Sequence, residues 1–239
     1  MQQPLVLAEP ERPFWSFGEL FLAAAIFCIA IITIIGVATK YLHAPQVSGL
    51  WGVIEETAAY AVLFVALKIM FARHGRRLLD SLGWSALGPF QPLPLFGAGI
   101  GLSFIVVALQ YALLTPNVET PFDQMLDSPA SRIAVALFGM TLGPVIEELL
   151  FRGFLQPLLT SAIGVFPGIV ATSVLFGALH LGQNDFIWQS GVLITLVGFV
   201  LGTVRHLTGS TKASTIVHMA YNSLPFLALL INGNPLAQK

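Results

Sequence analysis

Residues 17–39 read FGELFLAAAIFCIAIITIIGVAT and contain a single charged side chain, Glu19. A helix needs about 20 mostly apolar residues to cross the hydrocarbon core of a bilayer. This run meets that requirement, so it predicts a membrane-spanning helix. The same test along the chain predicts six further spans, at 51–72, 93–114, 130–151, 166–181, 186–204 and 215–231.

The composition extends this prediction to the whole chain. Of its 239 residues, 56% are hydrophobic and 10% are charged, whereas charged residues make up about a quarter of a soluble domain. Apolar runs recur to the last residues and leave no stretch long enough for a separate soluble domain. We therefore expect an all-α, polytopic transmembrane helical bundle of about seven spans. It comprises an N-terminal cytoplasmic segment at 1–16 and a single membrane domain at 17–239.

Charge and cysteine content exclude several classes of function. The formal net charge is −1, and the basic residues form short clusters instead of a stripe, so nucleic acid is not an expected partner. Cys28 is the only cysteine, which excludes an intramolecular disulfide and a thiolate metal cage. The bilayer is the first expected partner, and the sequence leaves the oligomeric state undefined.

The basic loops predict the orientation of the chain, because Arg and Lys in short loops favour the cytoplasmic side. This rule places inside the residues Arg73, Arg76, Arg77, Arg152, Arg205 and Lys212. The loop that faces out then carries Glu119, Asp123 and Asp127. The chain is predicted to begin in the cytoplasm and to end outside. The lack of organelle-targeting signals favours a bacterial inner membrane, with the endoplasmic reticulum as the alternative.

Residues 143–152 read GPVIEELLFR and place ionisable side chains at the end of the fourth predicted span. A charge near the bilayer centre costs roughly 2.5–3.5 kcal/mol, so such residues are candidates for function. Glu148 and Arg152 are four residues apart and share one helical face, where they can pair. Glu147 is rotated by about 100° and is free to face a cavity. Bonds to neighbouring helices, or a helix end lying in the headgroups, would also explain these residues.

Two later spans carry further polar residues at helical spacing. Phe176 and His180 are four apart on the fifth span, and His218 and Asn222 are four apart on the seventh. A lone His on an apolar helix is more often a packing residue than a catalyst, and a His/Asn pair also links helices. With Glu147, however, these residues supply a base, a partner for water and two hydrogen-bond donors for an oxyanion.

These residues resemble the CAAX-processing and bacteriocin-processing (CPBP or Abi) family of intramembrane proteases, whose motifs are E-E-x-x-x-R, F-x-x-x-H and H-x-x-x-N. All three motifs occur in order on separate predicted spans, with the core at about 130–232. The resemblance implies an intramembrane endopeptidase with its catalytic site within the bilayer. Its expected substrate is a membrane-associated protein or peptide. A site within the bilayer would also suit a lipid-modified substrate.

The resemblance also implies a role for each motif residue. It assigns water activation to Glu147 and His180, oxyanion stabilisation to His218 and Asn222, and supporting positions to Glu148, Arg152 and Phe176. Glu147, His180 and His218 form an alternative set of Zn²⁺ ligands, as one carboxylate and two imidazoles. Because the chain has no H-E-x-x-H pair, we favour a mechanism without a metal or another cofactor.

Two other functions use the same ionisable residues. One is a proton- or cation-coupled membrane transporter, and the other is a catalytically silent immunity or scaffold protein. A transporter would more readily show inverted repeats, but the chain shows only a short echo, VIEE at 53–56 and at 145–148. Because Glu55 and Glu56 lie near Trp51 and lack the following Arg, we interpret them as interfacial or supporting.

The predicted depths of the motif residues disagree. Counted from the predicted cytoplasmic ends at about 1.5 Å per residue, Glu147 and His218 lie about 8–9 Å deep and His180 about 20 Å deep. Either 153–165 forms a re-entrant or interfacial piece, so that the fifth span begins deeper, or the span boundaries differ from those predicted. From these depths we expect the site to open towards the cytoplasm.

Overall fold

The computed structural model describes residues 12–45, 47–84, 87 and 90–232, and every regular element within them is helical. In chain order the elements are α1 (Phe17–Tyr41), α2 (Gly49–Arg73), α3 (Leu78–Ser81), α4 (Pro92–Ala112), α5 (Pro121–Gln124), α6 (Pro129–Met140), α7 (Leu142–Glu148), a π-helical segment (Leu149–Leu155), α8 (Gln156–Ile163), α9 (Val165–Leu179), a 3₁₀ turn (Gly182–Asn184), α10 (Trp188–Thr208) and α11 (Thr211–Asn232).

Five of these helices, α1, α2, α4, α10 and α11, are long and apolar enough to cross a membrane. A sixth candidate consists of α6 and the run Leu142–Ile163, which are bent by 40° at their junction. Helix α9 has 15 residues, fewer than the roughly 20 that a full crossing takes. The predicted all-α membrane bundle is confirmed, and the protein is an integral membrane protein.

The fourth predicted span differs most from the structure. The sequence places it at 130–151, but the helical turns continue through the π segment and α8 to Ile163. An arginine that faces water would end an apolar run, yet Arg152 is 0% exposed and lies among other helices. The prediction that Arg152 lies on the cytoplasmic side with the loop residues is therefore wrong.

The extended helix also removes the disagreement in depth. Gly164 follows α8 with a φ of +91°, a conformation open to glycine, and α9 then packs back against α8. Glu147 lies about 17 residues before Gly164, and His180 lies about 16 residues after it. The two side chains reach a similar depth because they are nearly equidistant from this turn. Apart from the turn, the segment 153–165 is helical and needs no re-entrant backbone.

Helix α11 lies at the centre of the bundle and packs against α4, α6, α7 and α10. Its approach to α4 is close: a Cβ atom at Gly99 would overlap the carbonyl oxygen of Val217. Helix α1, in contrast, packs mainly against α2 and leaves large apolar side chains such as Phe21 and Ile32 exposed. Such a surface suits contact with lipid, whereas α11 is placed to carry polar residues inside the protein.

The part of the N-terminal segment that the structure describes is attached to the bundle. Trp15 is 5% exposed, and its Nε1–H donates to the carbonyl oxygen of Phe154 at 3.0 Å. Phe154 belongs to the π segment, where the i→i+5 pattern changes the partners of backbone groups. The predicted location of residues 1–11 and that of the C-terminal residues 233–239 fall outside the described residues.

Candidate active site

A cavity of about 240 Å³ lies between α2, α6, α7, α9 and α11. Its lining includes the four residues that the sequence predicts to be catalytic: Glu147, His180, His218 and Asn222. Glu147 comes from α7, His180 follows the last turn of α9, and the other two residues come from α11. The fold therefore brings three separate motifs to one cavity.

The two neighbouring glutamates of α7 have opposite environments. The side chain of Glu147 is 27% exposed and faces the cavity, whereas that of Glu148 is 0% exposed. This separation follows from helical phase, since consecutive residues are about 100° apart around the axis. Glu147 is therefore the carboxylate that a substrate can reach.

Glu148 holds two partners together inside the protein. Its Oε1 lies 3.0 Å from Nη1 of Arg152 and 3.0 Å from Nδ1 of His218. The i,i+4 pair with Arg152 matches the spacing predicted from the sequence, but the contact with His218 was not predicted. Arg152 also donates from Nη2 to the carbonyl oxygen of Gly198 on α10 at 3.0 Å. This network joins α7, the π segment, α10 and α11.

Each carboxylate oxygen of Glu147 faces the Nε2 atom of one motif histidine. Its Oε1 lies 3.8 Å from Nε2 of His180, and its Oε2 lies 3.8 Å from Nε2 of His218. These distances exceed those of direct hydrogen bonds. They leave the carboxylate free to interact with a water molecule or a substrate group that enters between the rings.

The orientation of His180 is set by its own helix. Its Nδ1 lies 2.7 Å from the carbonyl oxygen of Phe176, and a carbonyl can only accept, so Nδ1 carries the proton. In the neutral ring, Nε2 then presents its lone pair towards Glu147. The centroid of the Phe176 ring lies 4.6 Å from the centroid of the His180 imidazole. It also lies 4.5 Å from Cζ of the Arg152 guanidinium. Phe176 thus lies against both the imidazole of His180 and the guanidinium of Arg152.

The orientation of His218 is set by a carboxylate instead of a backbone carbonyl group. Its side chain is 4% exposed, and Nδ1 lies against the ionised Glu148, which favours a proton on Nδ1. Nε2 is therefore an acceptor when the ring is neutral and a donor only when the ring carries a second proton. The buried carboxylate of Glu148 therefore fixes the orientation of the ring.

Asn222 lies at the break between α6 and α7. Its Nδ2 donates to the carbonyl oxygen of Gly139 at 2.8 Å, close to the 40° bend. Polar side chains commonly satisfy backbone groups that a break in a membrane helix releases. A primary amide has two N–H groups, so Asn222 retains one donor for the cavity.

Sequence reasoning missed three polar residues of the cavity wall: Glu56, Gln183 and Tyr221. Glu56 was interpreted together with Glu55 as interfacial or supporting, yet Glu56 lines the cavity and Glu55 is not among its lining residues. The repeated VIEE sequence was the available signal. It could not show that α2 turns its second glutamate towards α7, because this depends on packing between the two helices.

The cavity extends to the end of the bundle that is opposite to the basic loops. Phe122 and Met125 lie on or beside α5, and Gln183 lies in the 3₁₀ turn before α10. Arg205 lies in the last turn of that same helix α10, at its other end. The expectation that the site opens towards the basic end is therefore wrong, for the same reason that the predicted end of the fourth span was wrong.

The alternative zinc site at Glu147, His180 and His218 stays a prediction. Within the described ranges, no three His, Cys, Asp or Glu side chains are grouped so that they could hold a metal ion. Glu147 lies 3.8 Å from Nε2 of each histidine, and Glu148 lies on the other ring nitrogen of His218.

Comparison with known proteins agrees with the three motifs. Residues 129–224 match the Rce1-like family, described as type II CAAX prenyl endopeptidase Rce1-like. The "Putative membrane peptidase YdiL" of Bacillus subtilis (strain 168) is 25% identical over 189 residues, which cover 76% of this chain and 71% of that protein. No solved structure gives a significant match to the chain. The family resemblance predicted from the motifs is confirmed.

Proposed function

We propose that the chain is an intramembrane endopeptidase, on the premise that its residues 129–224 match the Rce1-like family. It hydrolyses a peptide bond of a membrane-associated protein or peptide with water that Glu147 and His180 activate. One observation carries the proposal: a carboxylate faces Nε2 of two histidines, at 3.8 Å from each, within a single cavity.

In the first step, a water molecule beside Glu147 gives a proton to the carboxylate as its oxygen attacks the scissile carbonyl carbon. His180 orients this water because its Nδ1–H is held by Phe176, which leaves the Nε2 lone pair pointing into the cavity. The carbonyl π electrons move to oxygen and form a tetrahedral oxyanion. A positioned general base of this kind contributes about 10²–10⁴-fold to the rate.

In the second step, His218 and Asn222 stabilise the oxyanion. His218 donates from Nε2 in its imidazolium form, and Glu148 balances the positive charge of that ring at 3.0 Å from Nδ1. Asn222 donates the amide hydrogen that does not bond to Gly139. Donors fixed before the reaction stabilise developing charge without the cost of reorganisation.

The oxyanion then collapses to a carbonyl group, and the carbon–nitrogen bond breaks. The proton held by Glu147 passes to the leaving nitrogen. The products are a carboxyl group and an amine, and Glu147 returns to its ionised form. Every proton in this cycle moves between water, substrate and residues of the cavity.

The cavity wall favours an apolar substrate segment. Large apolar side chains surround the polar residues: Phe122, Met125, Phe138 and Phe226. Such a wall excludes water from the reacting bond. Moving a hydrophobic or lipid-modified peptide from water into this cavity costs less free energy than moving a charged one. We therefore assign to the substrate an apolar or lipid-bearing segment next to the cleaved bond.

The predicted orientation of the chain also predicts which side of the membrane the cavity faces. With the basic loops in the cytoplasm of a bacterial cell, the N-terminus is cytoplasmic and the C-terminus is outside. The end of the cavity near α5 then faces the outer side of the inner membrane. Labelling of single cysteines at Glu119 and at Arg77 with a membrane-impermeant reagent in whole cells tests this: labelling at Arg77 alone would reverse the orientation.

The enzymatic proposal is tested with purified protein in liposomes and a panel of fluorogenic peptides, with and without a prenylated cysteine. Glu147→Gln is expected to lower kcat/KM by about 10³-fold, since it removes the general base. Glu55→Gln is the matched control, because it changes the first glutamate of the other VIEE segment and leaves the cavity lining intact. Undiminished cleavage by Glu147→Gln would refute the mechanism.

The same liposomes separate the two rival functions. Proton- or cation-coupled flux that Glu147→Gln abolishes, without cleavage of any peptide, would indicate a transporter. A lack of both cleavage and flux, in protein that remains folded, would indicate a silent immunity or scaffold protein. The enzymatic proposal requires cleavage that depends on Glu147.

A further inference from the structure

A second cavity, of about 340 Å³, lies at the basic end of the bundle, far from the motif residues. Three arginines line it: Arg12 from the N-terminal segment, Arg76 after α2, and Arg205 from the last turn of α10. The hydroxyl-bearing residue Ser81 completes its polar wall. The described lining contains no acidic residue, so positive charge is concentrated there.

Within the described part of the chain, no carboxylate is paired with these three arginines. Glu19 is paired with His74 at 3.0 Å, and Asp80 is paired with Arg77 at 3.4 Å. Among the described residues, Arg12, Arg76 and Arg205 take part in no ion pair. Like charges in one cavity repel each other, and this repulsion falls when an anion binds between them.

The half-buried Arg205 is held in place as part of a formed site. Its Nε–H donates to Oγ1 of Thr211 at 3.0 Å, and that hydroxyl donates in turn to the carbonyl oxygen of Leu82. The guanidinium lies next to Gly83, where a Cβ atom would collide with it. Gly83 has a φ of +73°, so both its conformation and its missing side chain accommodate the arginine.

The opposite wall of the cavity is also fixed. Arg76 lies over the ring of Phe14 at 5.9 Å, and the next residue, Trp15, is bonded to the π segment. Phe14 and Trp15 further pack against each other and against Phe71 of α2. The segment that carries Arg12 is therefore attached to the bundle next to the other two arginines.

We propose that this cavity binds the phosphate group of an anionic phospholipid. Guanidinium groups form paired, charge-assisted hydrogen bonds with phosphate oxygens, and basic pockets at the ends of membrane helices are suited to lipid headgroups. A neighbouring cavity of about 760 Å³ shares Arg76 and has apolar walls from Phe64, Val65 and Trp84. This apolar neighbour favours a lipid, whose acyl chain it can receive, over free phosphate.

The experiment measures the thermal stability of the full chain in detergent with three additions: phosphatidylglycerol, phosphatidylcholine with the same acyl chains, and inorganic phosphate. A ligand that binds only the folded state stabilises it, so phosphatidylglycerol is expected to raise Tm by roughly 3 °C more than phosphatidylcholine. An equal rise with inorganic phosphate would identify the anion itself, and not the lipid, as the ligand, and would overturn the lipid assignment.

Variants locate the site. Two variants, Arg76→Gln at the exposed rim and Arg205→Gln, each remove a charged donor. Each is expected to raise by roughly tenfold the phosphatidylglycerol concentration that gives the same rise in Tm. The matched control is Arg73→Gln, which removes the same charge at the same end of α2 but does not line either cavity. Native mass spectrometry provides a second measurement, in which wild type retains phosphatidylglycerol that Arg76→Gln loses.

The outcomes are distinct from those of the proteolytic proposal, since none requires a cleaved substrate. A preference for phosphatidylglycerol that Arg76→Gln reduces and Arg73→Gln preserves supports the site. Equal effects of the two lipids on wild type, or an equal preference in wild type and Arg76→Gln, would overturn it. Arg76 is exposed and outside the helices, so the proposal does not depend on Arg205→Gln folding correctly.

Discussion

The same four residues, Val-Ile-Glu-Glu, occur in α2 at 53–56 and in α7 at 145–148, with different outcomes. In α7 the first glutamate, Glu147, lines the cavity, and the second, Glu148, is completely buried. In α2 the second glutamate, Glu56, lines the cavity, and the first does not. Identical local sequence therefore determines neither which carboxylate is buried nor which one meets the substrate.

The residue four positions after the second glutamate accounts for much of the difference. Glu148 is followed by Arg152, which gives it a cation inside the protein at 3.0 Å. Glu56 is followed by Tyr60, which lies against it but carries no positive charge. A completely buried carboxylate needs a charged partner, so α7 can bury its second glutamate completely, whereas Glu56 of α2 stays partly exposed on the cavity wall. Four predictions test this comparison.

The largest effect is expected when the cation of α7 is removed. Arg152→Gln leaves Glu148 buried without its charge partner, which costs about 3–5 kcal/mol in comparable buried pairs. It should also disturb His218 and lower kcat/KM by about 10²-fold or more, as expected for the loss of an oxyanion donor. Thermal unfolding in detergent and peptide cleavage measure the two effects.

The double variant Glu148→Gln with Arg152→Gln provides the control for charge imbalance. It should recover part of the stability that Arg152→Gln loses, because no uncompensated charge remains. It should not recover activity, since His218 still lacks its carboxylate. Full stability and activity in Arg152→Gln would show that the ion pair does not distinguish the two segments.

The next effect concerns the donor at the helix break. Asn222→Ala removes an oxyanion donor and should lower kcat by about 10²-fold with little change in KM. Ser223→Ala is the matched control, because the hydroxyl of Ser223 bonds only within α11, to the carbonyl oxygen of Ala220. A KM effect without a kcat effect would show that Asn222 only supports the break at Gly139.

A smaller effect is expected for the cavity glutamate of α2. Glu56→Gln keeps the shape of the side chain and makes no change to the Glu147 pairings with the two histidines. We expect less than a tenfold change in kcat/KM, the range of a group that touches substrate without exchanging its proton. A loss as large as that of Glu147→Gln would make Glu56 the base and would reverse the roles assigned to the two segments.

The smallest effect is expected from removing metal ions. Since the described residues hold no grouped metal ligands, a strong chelator should leave kcat/KM within about twofold of its original value. Cleavage assays before and after dialysis against the chelator measure this. Loss of activity that only added Zn²⁺ restores would instead assign Glu147, His180 and His218 as ligands.

Much of the site could be predicted from the sequence because its constraints are local. The spacing of Phe176 and His180, and of His218 and Asn222, places each pair on one helical face. The phase difference between Glu147 and Glu148 sends them to different environments. The structure brings all six residues to the cavity or to the network beside it. Their catalytic roles remain predictions.

Span boundaries were less predictable, and Arg152 shows why. A hydropathy window counts every arginine as a group that requires water, so it ended the fourth span at 151 instead of Ile163. In the protein, Glu148, the Gly198 carbonyl and the Phe176 ring surround that guanidinium. The cost of burying a charge depends on partners supplied by other helices, and a window along one segment cannot include them.

The sequence by itself therefore determined the all-α membrane fold, the three motifs and the face of each helix that carries them. These features follow from apolar length and from the 3.6-residue period of a single helix. Only the tertiary structure decided that Glu148 meets His218, that Glu56 joins the cavity, and that the cavity extends away from the basic loops. Each of these features depends on how separate helices pack against one another. The contacts that stabilise this packing join residues that are far apart in the chain.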